Sequence, residues 1–246
     1  MVEMIAPPYE APRRGRRRFF LIALAVLLGI WLVWEAVTWP DVAALAHTHP
    51  STTAFIDDYR GWGLFGDKKE IEWKWVSYSR ISSNLKRAVI VSEDIRFFSH
   101  DGFDDTEIKA ALQDAWEDKE LPRGASTITQ QLAKNLFLSA SYNPLRKVKE
   151  AILTRQLEKK LEKRRILELY LNVAEFGRGI YGAEAAARHY YGKSTASLTE
   201  RQAAELAASL PRPKTWHPGV TSRSYQRKVR AIQRRMSKAR WLRGEV

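Results

Sequence analysis

Apolar and polar positions divide the chain into one unbroken apolar run and a long series of helical periods. The run, F-F-L-I-A-L-A-V-L-L-G-I-W-L-V-W, extends from Phe19 to Trp34. Glu35 interrupts it, and Ala36, Val37 and Trp39 carry it to bilayer-spanning length. Arg13, Arg14, Arg16, Arg17 and Arg18 stand directly before it, and Trp31, Trp34 and Trp39 gather at its far end, where interfacial indoles belong. Residues 19–39 therefore read as a transmembrane helix and 1–18 as a basic cytoplasmic tail, with everything after Pro40 on the other side. A cleavable signal peptide competes with this reading, because Ala44-Leu45-Ala46 has the small-x-small form. The length of the run and its distance from that site favour an uncleaved anchor.

Residues 40–75 mix Trp, Gly, Thr and charge without a clean period and read as a connector packed on the domain C-terminal to it. They have room for one short helix and a strand or two at K-E-I-E-W-K-W-V. From Ser82 onward the pattern is helical. Leu85, Ala88, Val89 and Ser92 make one narrow face leading into Glu93 and Asp94, and Thr106 to Trp116 is a second amphipathic stretch. A third helix begins at Ser126. Pro144 suits the first turn of a fourth, along which Leu145, Val148, Ile152, Ala151, Leu157 and Leu161 form an apolar stripe. Lys163 to Asn172 continues that helix or starts another. Gly177, Gly179 and Gly182 mark a turn region, Ala183 to Tyr191 is helical, and Thr199 with Gln202 forms a capping box. A basic helix from about Ser222 to Trp241 closes a mostly α domain over 76–246.

Composition narrows the chemistry. The 246 residues contain no cysteine, so disulfides and Cys-ligated metals are excluded. The net charge of +13 is concentrated late: from Arg212 to Val246 eleven Lys/Arg face one acid, Glu245. Such an end suits an anionic partner: nucleic acid, lipid headgroups or a phosphorylated substrate. External placement argues against nucleic acid.

Three stretches can carry chemistry. R-G-A-S-T-I-T-Q-Q-L-A-K-N, from Arg123 to Asn135, places Gly124, Ser126 and Thr127 at a helix start, with Ser126 as N-cap and unpaired N–H groups facing an anion. Gln131, Lys134 and Asn135 then share one face, offering amides for sugar hydroxyls and an ammonium for phosphate. An ordinary capped surface helix explains this stretch equally well. Glu93 and Asp94 precede Phe97, Phe98 and His100, and a carboxylate among rings can serve as a general base. The bland alternative is a helix-terminal acid paired with Arg96 and a turn-stabilising His100. Glu150, beside Arg146, Lys147 and Lys149, is either a salt-bridged helix surface or a carboxylate with a guanidinium aimed at phosphate. No histidine spacing suggests a metal site.

Taken together these stretches resemble the family 51 glycosyltransferases, specifically the monofunctional biosynthetic peptidoglycan transglycosylases. The motif E-D-x-x-F-x-x-H-x-G stands at Glu93 to Gly102, and G-x-S-T-I-T-Q-Q-L-x-K-N at Gly124 to Asn135. R-K-x-x-E is Arg146 to Glu150, K-x-x-I-L-E-x-Y-L-N is Lys163 to Asn172, and the last element runs from Arg178 to Lys193. Ala125 and Tyr191 depart from the commoner glycine and phenylalanine without removing a functional group.

The resemblance implies a lysozyme-like, mostly α domain with a membrane-proximal subdomain after one N-terminal transmembrane helix. It implies an enzyme that polymerises lipid II into β-1,4-linked strands and releases undecaprenyl diphosphate with inversion. Glu93 would be the general base and Glu150 would assist near the diphosphate. Asp94, Phe97, His100, Gly124, Ser126, Thr127, Gln131, Lys134, Asn135 and Arg146 would contact substrate. Lys163, Glu168, Tyr170, Asn172 and Arg178 would be mainly architectural, with some contact to substrate. No cofactor is required and no metal-ligand set is visible, although a divalent cation such as Mg2+ is compatible with a diphosphate. Expected partners are lipid II, the lipid-linked strand, the membrane and other cell-wall or division proteins, with the catalytic domain on the periplasmic face of an inner membrane. A lysozyme-like lytic hydrolase and a membrane-anchored scaffold are the rival readings.

Overall fold

A computed structural model describes residues 13–61, 69–118, 126–138 and 144–246. The chain forms two units, divided after Asp41. In the first, helix α1 (Arg13–Val37) includes a 20-residue stretch, Arg18–Val37, with mean hydropathy 2.4. It is long and apolar enough to cross a membrane, and none of that stretch is buried within the protein.

The second unit is mostly α. It contains α2 (Ala54–Arg60), α3 (Ser83–Glu93), α4 (Asp105–Asp118), α5 (Ile128–Phe137), α6 (Pro144–Lys160) and α7 (Lys163–Val173). After α7 come α8 (Ala183–Tyr191), α9 (Glu200–Ser209) and α10 (Arg223–Lys238). Three short strands, β1 (Glu72–Trp73), β2 (Glu175–Gly177) and β3 (Ile180–Tyr181), form a sheet in the order β1-β3-β2. β1 runs parallel to β3, and β2 antiparallel to it.

Helix α3 packs against α9 and α10, whereas α5 packs against α2, α6 and α7. The narrow apolar face expected of α3 is instead a helix buried all round from Leu85 to Val91, Lys86 and Arg87 included. Arg87 lies inside because its guanidinium donates to the Met236 carbonyl at 2.8 Å and to Glu200 at 3.3 Å, which ties α3 to α10 and α9. The segment before α3 is also built in. The Asn172 side-chain amide exchanges two hydrogen bonds with the Val76 backbone, and the Trp73 indole donates to the Asn172 carbonyl.

One expectation about helices needs correction, and one open choice is decided. The stripe expected along α6 divides by environment: Leu157 and, just past the helix end, Leu161 are core together with Leu153, which the stripe did not include, while Leu145, Val148 and Ile152 are exposed. A three-four period marks both rows, and only packing separates them. Lys163 to Asn172 lies in a separate helix, α7, with Glu162 in extended conformation as its N-cap.

Candidate active site

The motif carrying Glu93 and Asp94 meets the Arg123–Asn135 motif where the C-terminus of α3 faces the N-terminus of α5. Thr127, rather than the expected Ser126, is the N-cap. Its hydroxyl accepts from the Gln130 N–H, and the Gln130 side chain accepts from the Thr127 N–H, a complete capping box. The anion at this helix start comes from within the protein. Asp94 Oδ2 accepts the Ile128 N–H at 3.0 Å, filling the position expected for an external phosphate. Ser126 sits one residue outside, exposed at the mouth.

Asp94 is only 7% exposed, and its other oxygen meets His100 Nε2 at 2.9 Å. His100 Nδ1 accepts from the Gly102 N–H, so the ring carries its proton on Nε2 and donates to Asp94. Thr127 Oγ1 donates to the Gly102 carbonyl at 2.7 Å. Gly102 has φ +90, and a Cβ there would meet the Thr154 methyl at 2.7 Å, so a side chain has no room where these motifs converge. Below them Lys163 donates to Glu158 and to the His100 carbonyl and lies over the buried Phe97 ring, while Thr129 donates to Glu158 at 2.6 Å. Asp94, Phe97, His100 and Thr127 thus form one internal framework. The pairing of Glu93 with Arg96 does not occur, because Arg96 forks onto Asp104.

Glu93, freed from Arg96, ends α3 half-buried. Ser92 Oγ donates to its Oε1 at 2.8 Å and Gln131 Nε2 to its Oε2 at 3.2 Å. Tyr170, fully enclosed, donates its phenol to Gln131 Oε1 at 2.8 Å. Burial first, then the charges of Glu93 and Asp94, holds that phenol well above the usual tyrosine range. It stays a donor, and this turns the Gln131 amide so that nitrogen, not oxygen, faces Glu93. Tyr170→Phe is expected to lower kcat about tenfold with little change in KM and a loss of only about 1 kcal/mol in stability. Steady-state rates beside a thermal melt check this; an unchanged kcat would show that the amide does not need the phenol.

Lys134 connects this acid to the second one. Burial pulls its ammonium below the ordinary lysine value; Glu150 and Glu93 oppose that shift, while Arg146 and Lys147 add to it. Glu150, 4% exposed on α6, accepts from Lys147. Asn135 is buried on α5, and Arg146 is half-buried on α6. Gly124 lies outside the described residues.

A cleft of about 620 Å³ opens over Glu93. One wall is Ser126, Thr127 and the start of α4; the other is the end of α10, with Arg235 and Lys238, and Trp241 just beyond it. The sequence marks α10 as a basic helix suited to an anionic partner but does not place it at this wall, since nothing local marks a helix that reaches Glu93 only through tertiary packing. Lys228 of the same helix also interacts electrostatically with Glu93.

Among the described residues one group approaches a metal-binding arrangement: Asp94, His100 and Asp104. Its atoms are already used by the Ile128 and Gly102 N–H groups and by Arg96. The Arg96 hydrogen bond holds the Asp104 carboxyl below the usual range. The donor set therefore fits an internal network better than a dedicated cation site.

A family model described as Transglycosylase matches residues 63–237. The chain belongs to the transglycosylase family. It is 43% identical over 218 residues to a biosynthetic peptidoglycan transglycosylase of Laribacter hongkongensis, covering 88% of this chain and 93% of that one. Proteins of the same name from Thiobacillus denitrificans and Bordetella avium are 46% and 45% identical over 87% of this chain, and the matches cover 90% and 91% of those proteins. The transglycosylase match takes in both acids, Lys134, Arg146 and all of α10 except Lys238.

Proposed function

We propose that this transglycosylase is a peptidoglycan glycosyltransferase of cell-wall synthesis, extending a lipid-linked glycan strand with lipid II. The observation that carries the reading is the Glu93 carboxylate, held by Ser92 and Gln131 at an open cleft, with a partly desolvated lysine, Lys134, that feels the charge of both Glu93 and Glu150. Glu93 takes the proton of the acceptor 4-hydroxyl. That oxygen forms a bond to C1 of the donor sugar from the face opposite the leaving group. The C1–O bond to the diphosphate breaks, its electron pair leaves with the lipid diphosphate, and the anomeric centre inverts. Lys134 and Arg146 offset the charge gathering on that diphosphate, a role that needs positioned cations and no covalent intermediate. The charge of Glu150 favours the protonated form of the Lys134 ammonium.

Both substrates are lipid-tethered, so a chain held in the same leaflet meets them at high effective concentration. The arginines at the start of α1, ahead of its apolar run, favour a cytoplasmic N-terminus and a periplasmic catalytic unit at the inner membrane. The exposed Leu145, Val148 and Ile152, with Lys147 and Lys149 between them, suit an α6 that dips into the lipid surface.

Incubating the full chain with lipid II in detergent tests the assignment. Lengthening glycan with released lipid diphosphate is expected. Cleavage of finished peptidoglycan without polymerisation would replace this reading by the lytic one, and inactivity in both assays by the scaffold.

A further inference from the structure

Helix α10 has two faces with different environments. Tyr225, Val229, Ile232 and Met236 are buried, in a helix that packs on α3 and α9. Opposite them Arg223, Arg227, Arg230, Arg234 and Lys238 are all exposed, at steps of four, three, four and four residues. That spacing stacks them in one row about 22 Å long at 1.5 Å per residue. The helix contains no acid, and none of the five makes an ion pair or side-chain hydrogen bond among the described residues. Like charges three and four apart repel, and Arg223 sits in the first turn, where the helix dipole disfavours a cation. Alone the row weakens its own helix; its complement is a linear anion. The row also leads somewhere, because Lys238 at its end lines the Glu93 cleft.

We propose that this row is a track for the growing glycan, guiding the product away from the cleft through the carboxylates of its peptides. The proposal rests on the peptidoglycan reading above. A peptide-bearing glycan carries carboxylates at each repeat, so it can exchange one cation for the next without a fixed seat. Many weak contacts along one strand raise the chance that it stays bound between additions. Lipid headgroups share the anionic chemistry, but helices that lie on a bilayer expose apolar residues beside their cations. The apolar residues of α10 are instead buried in the protein.

The test is the full chain carrying Arg227→Glu, Arg230→Glu and Arg234→Glu together, assayed on lipid II in nonionic detergent, where no anionic lipid is present. None of the three lines the cleft, so the first coupling of two lipid II molecules should stay within about twofold. Mean product length should fall about threefold or more, and the decrease with added salt that the track predicts for the intact chain should disappear. The milder Arg→Gln triple variant, with a thermal melt, separates charge from folding. Unchanged product length would overturn the track. Shortening confined to proteoliposomes containing anionic lipid would overturn it in favour of headgroup binding. An intact chain that makes no polymer would defeat the underlying reading, whereas polymer of equal length from both chains defeats the track alone.

Discussion

Glu93→Gln is expected to reduce polymerisation of lipid II by about 10³-fold, near the middle of the range for loss of a general base. The substitution is nearly isosteric. Ser92 can still donate to the remaining carbonyl oxygen, while the new amide nitrogen faces one of the two former donors. Folding and substrate binding should therefore survive while the proton acceptor is lost. A melt within a few degrees of the intact protein, binding of lipid II within a few-fold, and a collapsed kcat would together locate the defect in chemistry. Residual activity above about a tenth of the original would mean that another group takes the proton.

Lys134→Met should cost about 10²–10³ in kcat, the scale seen when one positioned donor to developing negative charge is removed. Lys134→Arg keeps the charge and gives a second handle through pH. In the free enzyme burial holds the Lys134 ammonium below the ordinary value of 10.5. A bound diphosphate favours the protonated form. Binding is therefore strongest below the free-site pKa and weakens as pH rises through it. KM should climb on the alkaline side before the ordinary lysine range is reached, and Lys134→Arg should flatten that climb, because a guanidinium stays charged. A KM profile independent of pH in the intact protein would remove Lys134 from diphosphate binding.

Much of this arrangement is legible in local pattern. The capping box of α9 at Thr199 and Gln202 and the limits of α8 follow from residue types within one turn. The start of α5 is ambiguous by one residue because Ser126 and Thr127 both carry hydroxyls, although the spacing of Thr127 and Gln130 already distinguishes them. On α6 the sequence does not separate Leu145 from Leu153, since an exposed apolar row and a core row follow the same pattern. What joins the motifs is not legible at all. Asp94 reaching α5, Arg96 turning to Asp104 and Tyr170 orienting Gln131 span separations of 34, 8 and 39 residues. Tyr170 reads as architectural because its polar atom acts on the acid only through another side chain.

The carboxylate of Asp94 at the start of α5 has a kinetic meaning. Because an internal group already occupies that helix end, the end of α3 that carries Glu93 is joined to the start of α5 before any sugar arrives. The entropy of bringing them together is lost once, when the chain folds, rather than in every round of addition. Binding energy from each incoming lipid-linked sugar is then left for aligning the reacting oxygen with the anomeric carbon. A catalyst that repeats one step many times on a lengthening strand gains most from a framework that does not have to be rebuilt.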